Sequence, residues 1–104
     1  MWYKLEDKTK SIVPCSSNEY YKWASEDFNR KVVCQETFED YWVSTVFLGL
    51  DHGFNNEEPI LFETMVFPPN RDWSEIYCNR CSTWEEAEEM HKETIAKLEK
   101  GEIK

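Results

Sequence analysis

Residues 41–67 decide the fold of this chain, because they hold two β-forming runs, YWVSTVFLGL at positions 41–50 and ILFETMVF at positions 60–67. Both runs are rich in β-branched and aromatic side chains, which pack well on a pleated sheet. The segment between them contains Gly, Asn and Pro, the residues typical of turns. The second half of the first run is apolar on both faces, which indicates a central strand. We therefore predict two adjacent antiparallel strands here.

A third strand is predicted immediately before these two, over residues 31–38. Glu39 and Asp40 offer a tight connection from it to the strand that begins at Tyr41. Three consecutive antiparallel strands form a meander, which needs only short connections. Other short extended segments near both ends of the chain lead us to expect a sheet of three to five strands.

Two helices are predicted, one before the meander and one after it. Ser16 lies three residues before Glu19, which is the spacing of a capping box at the start of a helix. Ser82 and Glu85 repeat this spacing, and an apolar stripe with helical periodicity follows each pair. The helices are expected at about residues 17–28 and 83–100. Packed together on one face of the sheet, they would complete an α+β fold.

Length and charge restrict the class of protein. At 104 residues, the chain is expected to form one domain, residues 1–104. Its 21 acidic residues outnumber its 12 basic residues, which gives a formal net charge of −9. Without a cluster of Lys or Arg to displace phosphate counterions, direct binding to nucleic acid is not expected. The acidity suits a basic protein partner, or solubility alone.

The sequence has no leader-peptide pattern and no apolar run long enough to span a bilayer. We therefore expect no membrane association and a cytoplasmic location, where thiols stay reduced. The chain has four cysteines, Cys15, Cys34, Cys78 and Cys81. The last two have C-x-x-C spacing, so a structural zinc site formed by all four is one interpretation and a redox dithiol is another. We favour free thiols without a cofactor.

Asp51 and His52 follow the first run and are candidate site residues. A carboxylate beside an imidazole could orient a general base at a strand end. Adjacent strand residues point in opposite directions, however, so direct cooperation would need a bend in the chain. The alternative, which we favour, is that Asp51 accepts hydrogen bonds from the loop backbone in an Asx turn and His52 is partly exposed.

Glu63 is the least expected residue of the predicted sheet, because it shares a strand face with apolar side chains. A carboxylate in such surroundings must be protonated, paired or hydrated. Arg30, Arg80 and His91 are the candidate partners, and we predict His91, since its helix should cover the sheet. This pair would be either a structural bridge or part of a ligand site. Trp73, in the loop after the third strand, is a further candidate for partner contact.

Three blocks, residues 43–52, 59–67 and 82–91, resemble an uncharacterised family of small proteins of tailed bacteriophages and prophages. The strong resemblance covers about half of the chain. That family has no settled activity, cofactor or catalytic residue, so the resemblance implies a phage setting and no particular chemistry. A tyrosine usually stands in the family at the position of Cys81, which argues against a zinc site shared by its members.

The sequence lacks a nucleophile motif, a phosphate-binding glycine loop and the H-E-x-x-H zinc motif, so an enzyme is not expected. We predict a phage accessory protein that binds a host or phage protein, for example as a counter-defence inhibitor. One alternative is a small-ligand binder that sequesters a signalling nucleotide in a pocket lined by Asp51, His52 and Glu63. A second alternative is a hydrolase-like enzyme that uses Glu63 and His91. A homodimer is also compatible with an exposed sheet edge.

Overall fold

The computed structural model describes residues 1–53, 58–69 and 74–103. A 3₁₀ turn (Phe28–Lys31) joins the first helix to the third strand. None of the helices described there combines the length and apolarity needed to cross a membrane. In chain order the main elements are β1 (Trp2–Leu5), β2 (Ile12–Cys15), α1 (Ser17–Glu26), β3 (Val32–Phe38), β4 (Tyr41–Phe47), β5 (Phe62–Phe67), β6 (Tyr77–Cys81) and α2 (Trp84–Glu99). The predicted α+β fold is confirmed.

The main sheet has four antiparallel strands in the order β3-β4-β5-β6. The predicted meander is therefore present, and β6 extends it by one strand. β1 and β2 form a separate two-stranded sheet. A bridge between Trp2 and Leu50 attaches this small sheet to the chain that follows β4.

The connection between β3 and β4 is a two-residue turn, as predicted from Glu39 and Asp40. Phe38 and Tyr41 pair directly across it, and both turn residues have positive φ angles of 46° and 76°. Two positive φ angles are the mark of a type I′ turn, whose twist matches that of the flanking strands. This turn sets the register of the hairpin.

The four-stranded sheet has two faces, which we call inner and outer, and both helices pack on the inner face. The ring of Trp23 in α1 meets that of Phe47 edge-on, with 5.8 Å between centroids. Ala87 and Leu98 of α2 pack in the clusters that hold the inner residues of β4 and β5. Because side chains alternate along a strand, register assigns each residue to a face. The outer face carries Gln35, Thr37, Trp42, Ser44, Val46, Glu63, Met65, Phe67, Cys78 and Arg80.

The inner face holds two apolar clusters. The first joins Phe47 and Phe62 to Trp23, and the second joins Val43 and Val66 to Leu98 and other residues. Phe47, Phe62, Val43 and Val66 are each fully buried. Burying such side chains contributes about 1.5–3 kcal/mol each, so this face is the main source of stability.

Both helices start with a capping box. In α1 the predicted pair is confirmed, since Ser16 Oγ accepts from the Glu19 amide at 3.1 Å and Glu19 accepts from the Ser16 amide at 3.1 Å. In α2 the predicted Ser82–Glu85 pair is wrong, because Thr83 is the N-cap and Glu86 its partner. The two pairs have the same spacing. Ser82 is buried at the end of β6, so the first free cap position is one residue later.

At Gly49 the backbone that follows β4 lies very close to Tyr20 of α1. Its φ is +82°, and an added Cβ would lie 2.1 Å from a ring carbon of Tyr20. Tyr20 is itself only 4% exposed and cannot move aside easily. A side chain at position 49 would therefore strain the backbone and collide with the core.

Candidate functional site

Glu63 and His91 lie on opposite faces of the four-stranded sheet, so the predicted contact between them is wrong. Glu63 pairs with Val46 on the outer face, whereas its neighbour Thr64 pairs with Thr45 on the inner face. His91 projects from α2 onto the inner face and hydrogen-bonds Thr45. The helix covers the sheet as expected, but the face that it covers carries Thr64 and not Glu63. The two groups therefore cannot act together as acid and base.

Glu63 instead forms an ion pair with Arg80, one of the other partners considered from the sequence. Its Oε2 accepts from Arg80 Nε at 2.8 Å and from the Cys78 thiol at 3.3 Å. The Glu63 side chain is 11% exposed and that of Arg80 is 45% exposed. The charge of the Glu63 carboxylate is thus balanced by the Arg80 guanidinium on the outer face, and the guanidinium still reaches solvent.

Two pKa shifts follow from this contact. The hydrogen bond that Arg80 donates to Glu63 raises the pKa of Arg80 above its ordinary value. Burial, followed by the hydrogen bond to Glu63, raises the pKa of Cys78 to about 11. Cys78 is therefore a protonated, weakly nucleophilic thiol near neutral pH.

His91 lies in a polar layer between the two apolar clusters of the inner face. Its Nδ1 is 2.7 Å from Thr45 Oγ1, and Thr45 Oγ1 is 2.5 Å from Thr64 Oγ1. Its Nε2 is 3.1 Å from a carboxylate oxygen of Glu36 on β3. Thr45 and Thr64 are fully buried and His91 is 4% exposed. A hydrogen-bonded chain therefore runs from the centre of the core to the β3 edge of the sheet.

The order hydroxyl, imidazole and carboxylate in Thr45, His91 and Glu36 is that of a hydrolytic triad. A triad needs a nucleophile that a substrate can reach, and the Thr45 hydroxyl lies in the core with no exposed surface. The same groups satisfy one another's hydrogen bonds, which is what buried polar groups require. The hydrogen bonds of His91 to Thr45 and Glu36 therefore hold α2 against the sheet, and they do not expose a reactive atom.

Cys34 lies beside Glu36, at the solvent-facing end of this series of hydrogen bonds. The Cys34 thiol, a Glu36 carboxylate oxygen and a His91 ring nitrogen all lie within 4.8 Å of one another. Cys34 and Glu36 are two residues apart on β3, so both project from the same strand face. Burial, followed by the charge of Glu36, raises the pKa of Cys34 above its ordinary value. A thiol, a carboxylate and an imidazole therefore converge at one point.

A zinc site formed by all four cysteines, the less favoured interpretation of the sequence, is not assembled. Cys78 pairs with Met65 on the outer face, and Cys81 pairs with Phe62 on the inner face, because an i, i+3 pair in a strand straddles the sheet. Cys34 lies on β3, three strand spacings or about 14 Å from β6. Burial raises the pKa of Cys81 to about 11, so a reactive thiolate pair is not favoured either.

Asp51 has the structural role that we favoured. Its Oδ1 accepts from the amides of Gly53 and Ile60 at 2.7 and 2.8 Å, and these two bonds close the connection between β4 and β5. The same hydrogen bonds hold the pKa of Asp51 below its ordinary value. His52 is exposed. Among the described residues, Asp51 accepts its hydrogen bonds from backbone amides and not from the His52 ring. Trp73 lies outside the described residues.

The pocket expected from Asp51, His52 and Glu63 is not among four shallow clefts of about 260–320 Å³ that the described residues form. One cleft lies between β6 and α2, and its lining includes Arg80, Glu86, Glu89 and Glu93. Asp51 is occupied with backbone amides and Glu63 with Arg80. Asp51 and Glu63 are therefore engaged with different partners and do not line a common pocket among the described residues.

Sequence reasoning missed Thr45, Thr64 and Glu36. A signal was present: Val43, Thr45 and Phe47 alternate on β4, and Phe62, Thr64 and Val66 alternate on β5. Each inward-facing trio has threonine at its centre, and the register places the two threonines side by side. A polar residue in the middle of a buried trio on two neighbouring strands predicts an internal hydrogen-bond network.

Comparisons with protein-family models, with curated proteins and with solved structures returned no match to this chain.

Proposed function

We propose that the chain acts by binding a partner protein, and that the outer face of the four-stranded sheet is its binding surface. The observation that carries this proposal is the apolar content of that face. Trp42, Val46, Met65 and Phe67 lie there and each is partly exposed. Within the described ranges both helices pack on the opposite face. Partly exposed aromatic and methionine side chains on one surface are typical of protein interfaces.

The size and charge of the surface indicate the kind of partner. Four strands and six residues per strand give a face of roughly 15 by 20 Å. Such an area, on the order of 300 Å², is smaller than the 800 Å² or so that each partner gives to a standard interface. The partner must also cover the surrounding surface, which belongs to a chain with a net charge of −9. An apolar protein segment bordered by basic residues meets both requirements.

Two features favour binding over catalysis. Glu63 and His91 are separated by the sheet, so the hydrolase-like alternative lacks its acid–base pair. The Thr45 hydroxyl, which holds the nucleophile position of the triad-like arrangement, has no exposed surface. The resemblance to phage proteins supports the biological setting, in which the chain is an accessory protein that binds a host or phage protein and inhibits a host defence.

The experiment uses a charge placed in the centre of the face. Met65→Glu introduces a carboxylate between Trp42 and Val46, whereas Asn18→Glu adds the same charge at an exposed position of α1. Tagged wild-type protein and both variants are incubated with bacterial host lysate at physiological salt. The captured protein is then purified, and its Kd is measured for each variant. We expect Met65→Glu to weaken binding at least about tenfold, by burying an unpaired charge, and Asn18→Glu to bind as wild type does.

Circular dichroism establishes that Met65→Glu is folded, and Trp42→Ala serves as a second outer-face variant. Equal Kd values for wild type and both outer-face variants would place the interface elsewhere. Light scattering on the purified chain tests the homodimer. A wild-type dimer that Met65→Glu dissociates would assign the face to a second copy and overturn the proposed partner.

A further inference from the structure

The donor atoms of Cys34, Glu36 and His91 form a set that is independent of the outer face. A thiol, a carboxylate and an imidazole are the three ligand types that zinc takes in proteins. Cys34 and Glu36 come from the edge strand β3, and His91 comes from α2, which packs against that strand. The group therefore joins two elements that are far apart in the sequence, since His91 and Glu36 are 55 positions apart.

The separations suit a metal of zinc size. Tetrahedral zinc, with bonds of about 2.3 Å to sulfur and 2.0–2.2 Å to nitrogen or oxygen, places its ligand atoms about 3.4–3.6 Å apart. His91 Nε2 and a Glu36 carboxylate oxygen are already 3.1 Å apart. The Cys34 sulfur lies within 4.8 Å of a Glu36 carboxylate oxygen and of a His91 ring nitrogen. Closing the set needs a shift of about 1 Å, on the geometry of the same bond lengths. Because His91 Nε2 and a Glu36 oxygen are already close, this shift falls on the Cys34 sulfur relative to those two groups.

The imidazole is already oriented for a metal. Metal-binding histidines almost always have the second ring nitrogen held by a hydrogen bond, which fixes the tautomer and the ring plane. Here Thr45 Oγ1 lies 2.7 Å from Nδ1, and Thr64 stands behind it at 2.5 Å from Thr45. Before a metal binds, Nε2–H donates to the Glu36 carboxylate, so metal binding at Nε2 moves the ring proton to Nδ1, where Nδ1–H donates to Thr45 Oγ1. The buried threonines thus act as positioning residues for Nε2.

We propose that Cys34, Glu36 and His91 bind one divalent zinc ion. Thiolate and imidazole select zinc over magnesium and calcium, which take oxygen ligands. As the zinc–sulfur bond forms, the Cys34 thiol releases its proton to solvent, so that thiolate and carboxylate together balance the charge of the ion. The three ligands leave a fourth coordination position for water on the side where Glu36 is exposed. The bound ion ties α2 to the edge strand of the sheet.

The test uses cobalt(II) as a spectroscopic substitute for zinc. The full chain is purified under reducing conditions, freed of metal with a chelator and titrated with cobalt chloride. We expect a thiolate-to-cobalt charge-transfer band that saturates at one equivalent and disappears when zinc is added. Cys34→Ser should abolish the band, and Glu36→Gln should weaken cobalt affinity by roughly tenfold or more. Cys78→Ser, which removes an exposed thiol from the outer face, should leave the band unchanged.

Three outcomes would overturn the site: no charge-transfer band in the wild type, a band that persists in Cys34→Ser, or a band that depends on Cys78. Circular dichroism checks that Cys34→Ser is folded. Should that variant unfold, Glu36→Gln decides, because a half-exposed carboxylate can lose its charge without disturbing the core. An unchanged cobalt affinity in Glu36→Gln would then count against the proposal.

Discussion

The two faces of β4 and β5 consist of alternate residues of the same two strands, yet their environments differ completely. Glu63 and Thr64 are neighbours in sequence. Glu63 pairs with a partly exposed arginine on the outer face, whereas Thr64 is fully buried beneath α2. The inner face is closed by apolar clusters and a satisfied polar layer, and the outer face keeps partly exposed aromatic and aliphatic side chains. A single strand therefore supplies a stable core on one face and the proposed binding surface on the other.

The largest expected contrast comes from the same substitution on the two faces of β4. Val43→Ala removes two methyl groups from a fully buried inner position and should lower the free energy of unfolding by about 2–3 kcal/mol. Val46→Ala makes the same change at a partly exposed outer position and should cost less than about 1 kcal/mol. Urea denaturation measures both values. Equal losses would mean that the outer face is packed as tightly as the inner one.

The next effect concerns the polar layer. Thr45→Val keeps the shape of the side chain but removes the hydroxyl that lies 2.7 Å from His91 Nδ1, and it leaves that buried nitrogen without its partner. We expect a loss of about 1–3 kcal/mol in the free energy of unfolding. Ser44→Ala, one residue earlier on the outer face, serves as the control and should change stability by about 0.5 kcal/mol or less. A stabilised Thr45→Val would show that the layer is not a satisfied network.

A smaller effect is expected for the ion pair on the outer face. Glu63→Gln removes the charge that faces Arg80 but keeps an acceptor oxygen, and Arg80 is 45% exposed and can turn to solvent. The free energy of unfolding should fall by about 0.5–1.5 kcal/mol. Glu26→Gln weakens the exposed pair with Arg30 and should cost less than about 0.5 kcal/mol. Urea unfolding at low salt distinguishes them, because urea is uncharged and does not screen the ion pairs. Identical losses would mean that burial of Glu63 adds nothing.

The smallest effect is the pH dependence contributed by Asp51. Its pKa is lowered in the folded state by hydrogen bonds from Ile60 and Gly53, so the carboxylate stabilises the fold above its unfolded pKa of about 3.9. That contribution disappears as the pH falls from the unfolded pKa through the folded one. Asp51→Asn should thus be less stable than wild type at pH 7, and the difference should shrink at pH 3. A constant difference in urea midpoints across this range would contradict the role of Asp51.

Much of the architecture was predictable because it depends on local patterns. The turn at Glu39 and Asp40, the capping box at Ser16 and the β-rich composition around Tyr41 are each specified by residues a few positions apart. The start of α2 was predicted one residue early, since two adjacent pairs share the same capping spacing. Local rules of this kind predict elements well and their boundaries less well.

The site was harder to predict, because it depends on which strand face the second helix covers. Alternation shows that Glu63 and Thr64 point in opposite directions, but not which of them meets His91. The face that α2 covers depends on the apolar residues of α2, β4 and β5 taken together. On that face Val43 and Phe47 flank Thr45, and each belongs to one of the two apolar clusters. Placing Glu63 under the helix would have put Thr45 and its apolar neighbours into solvent.

By itself the sequence determined the strands, the helices, the hairpin turn and the acidity of the chain, since these follow from propensity, periodicity and composition within short windows. Only the tertiary structure decided that His91 meets Thr45 and Glu36, that Glu63 meets Arg80, and that Cys34 lies apart from Cys78 and Cys81. The physical reason is that sheet register and helix placement are set together by the burial of many apolar side chains. A displacement of one strand position exchanges the two faces and every contact on them.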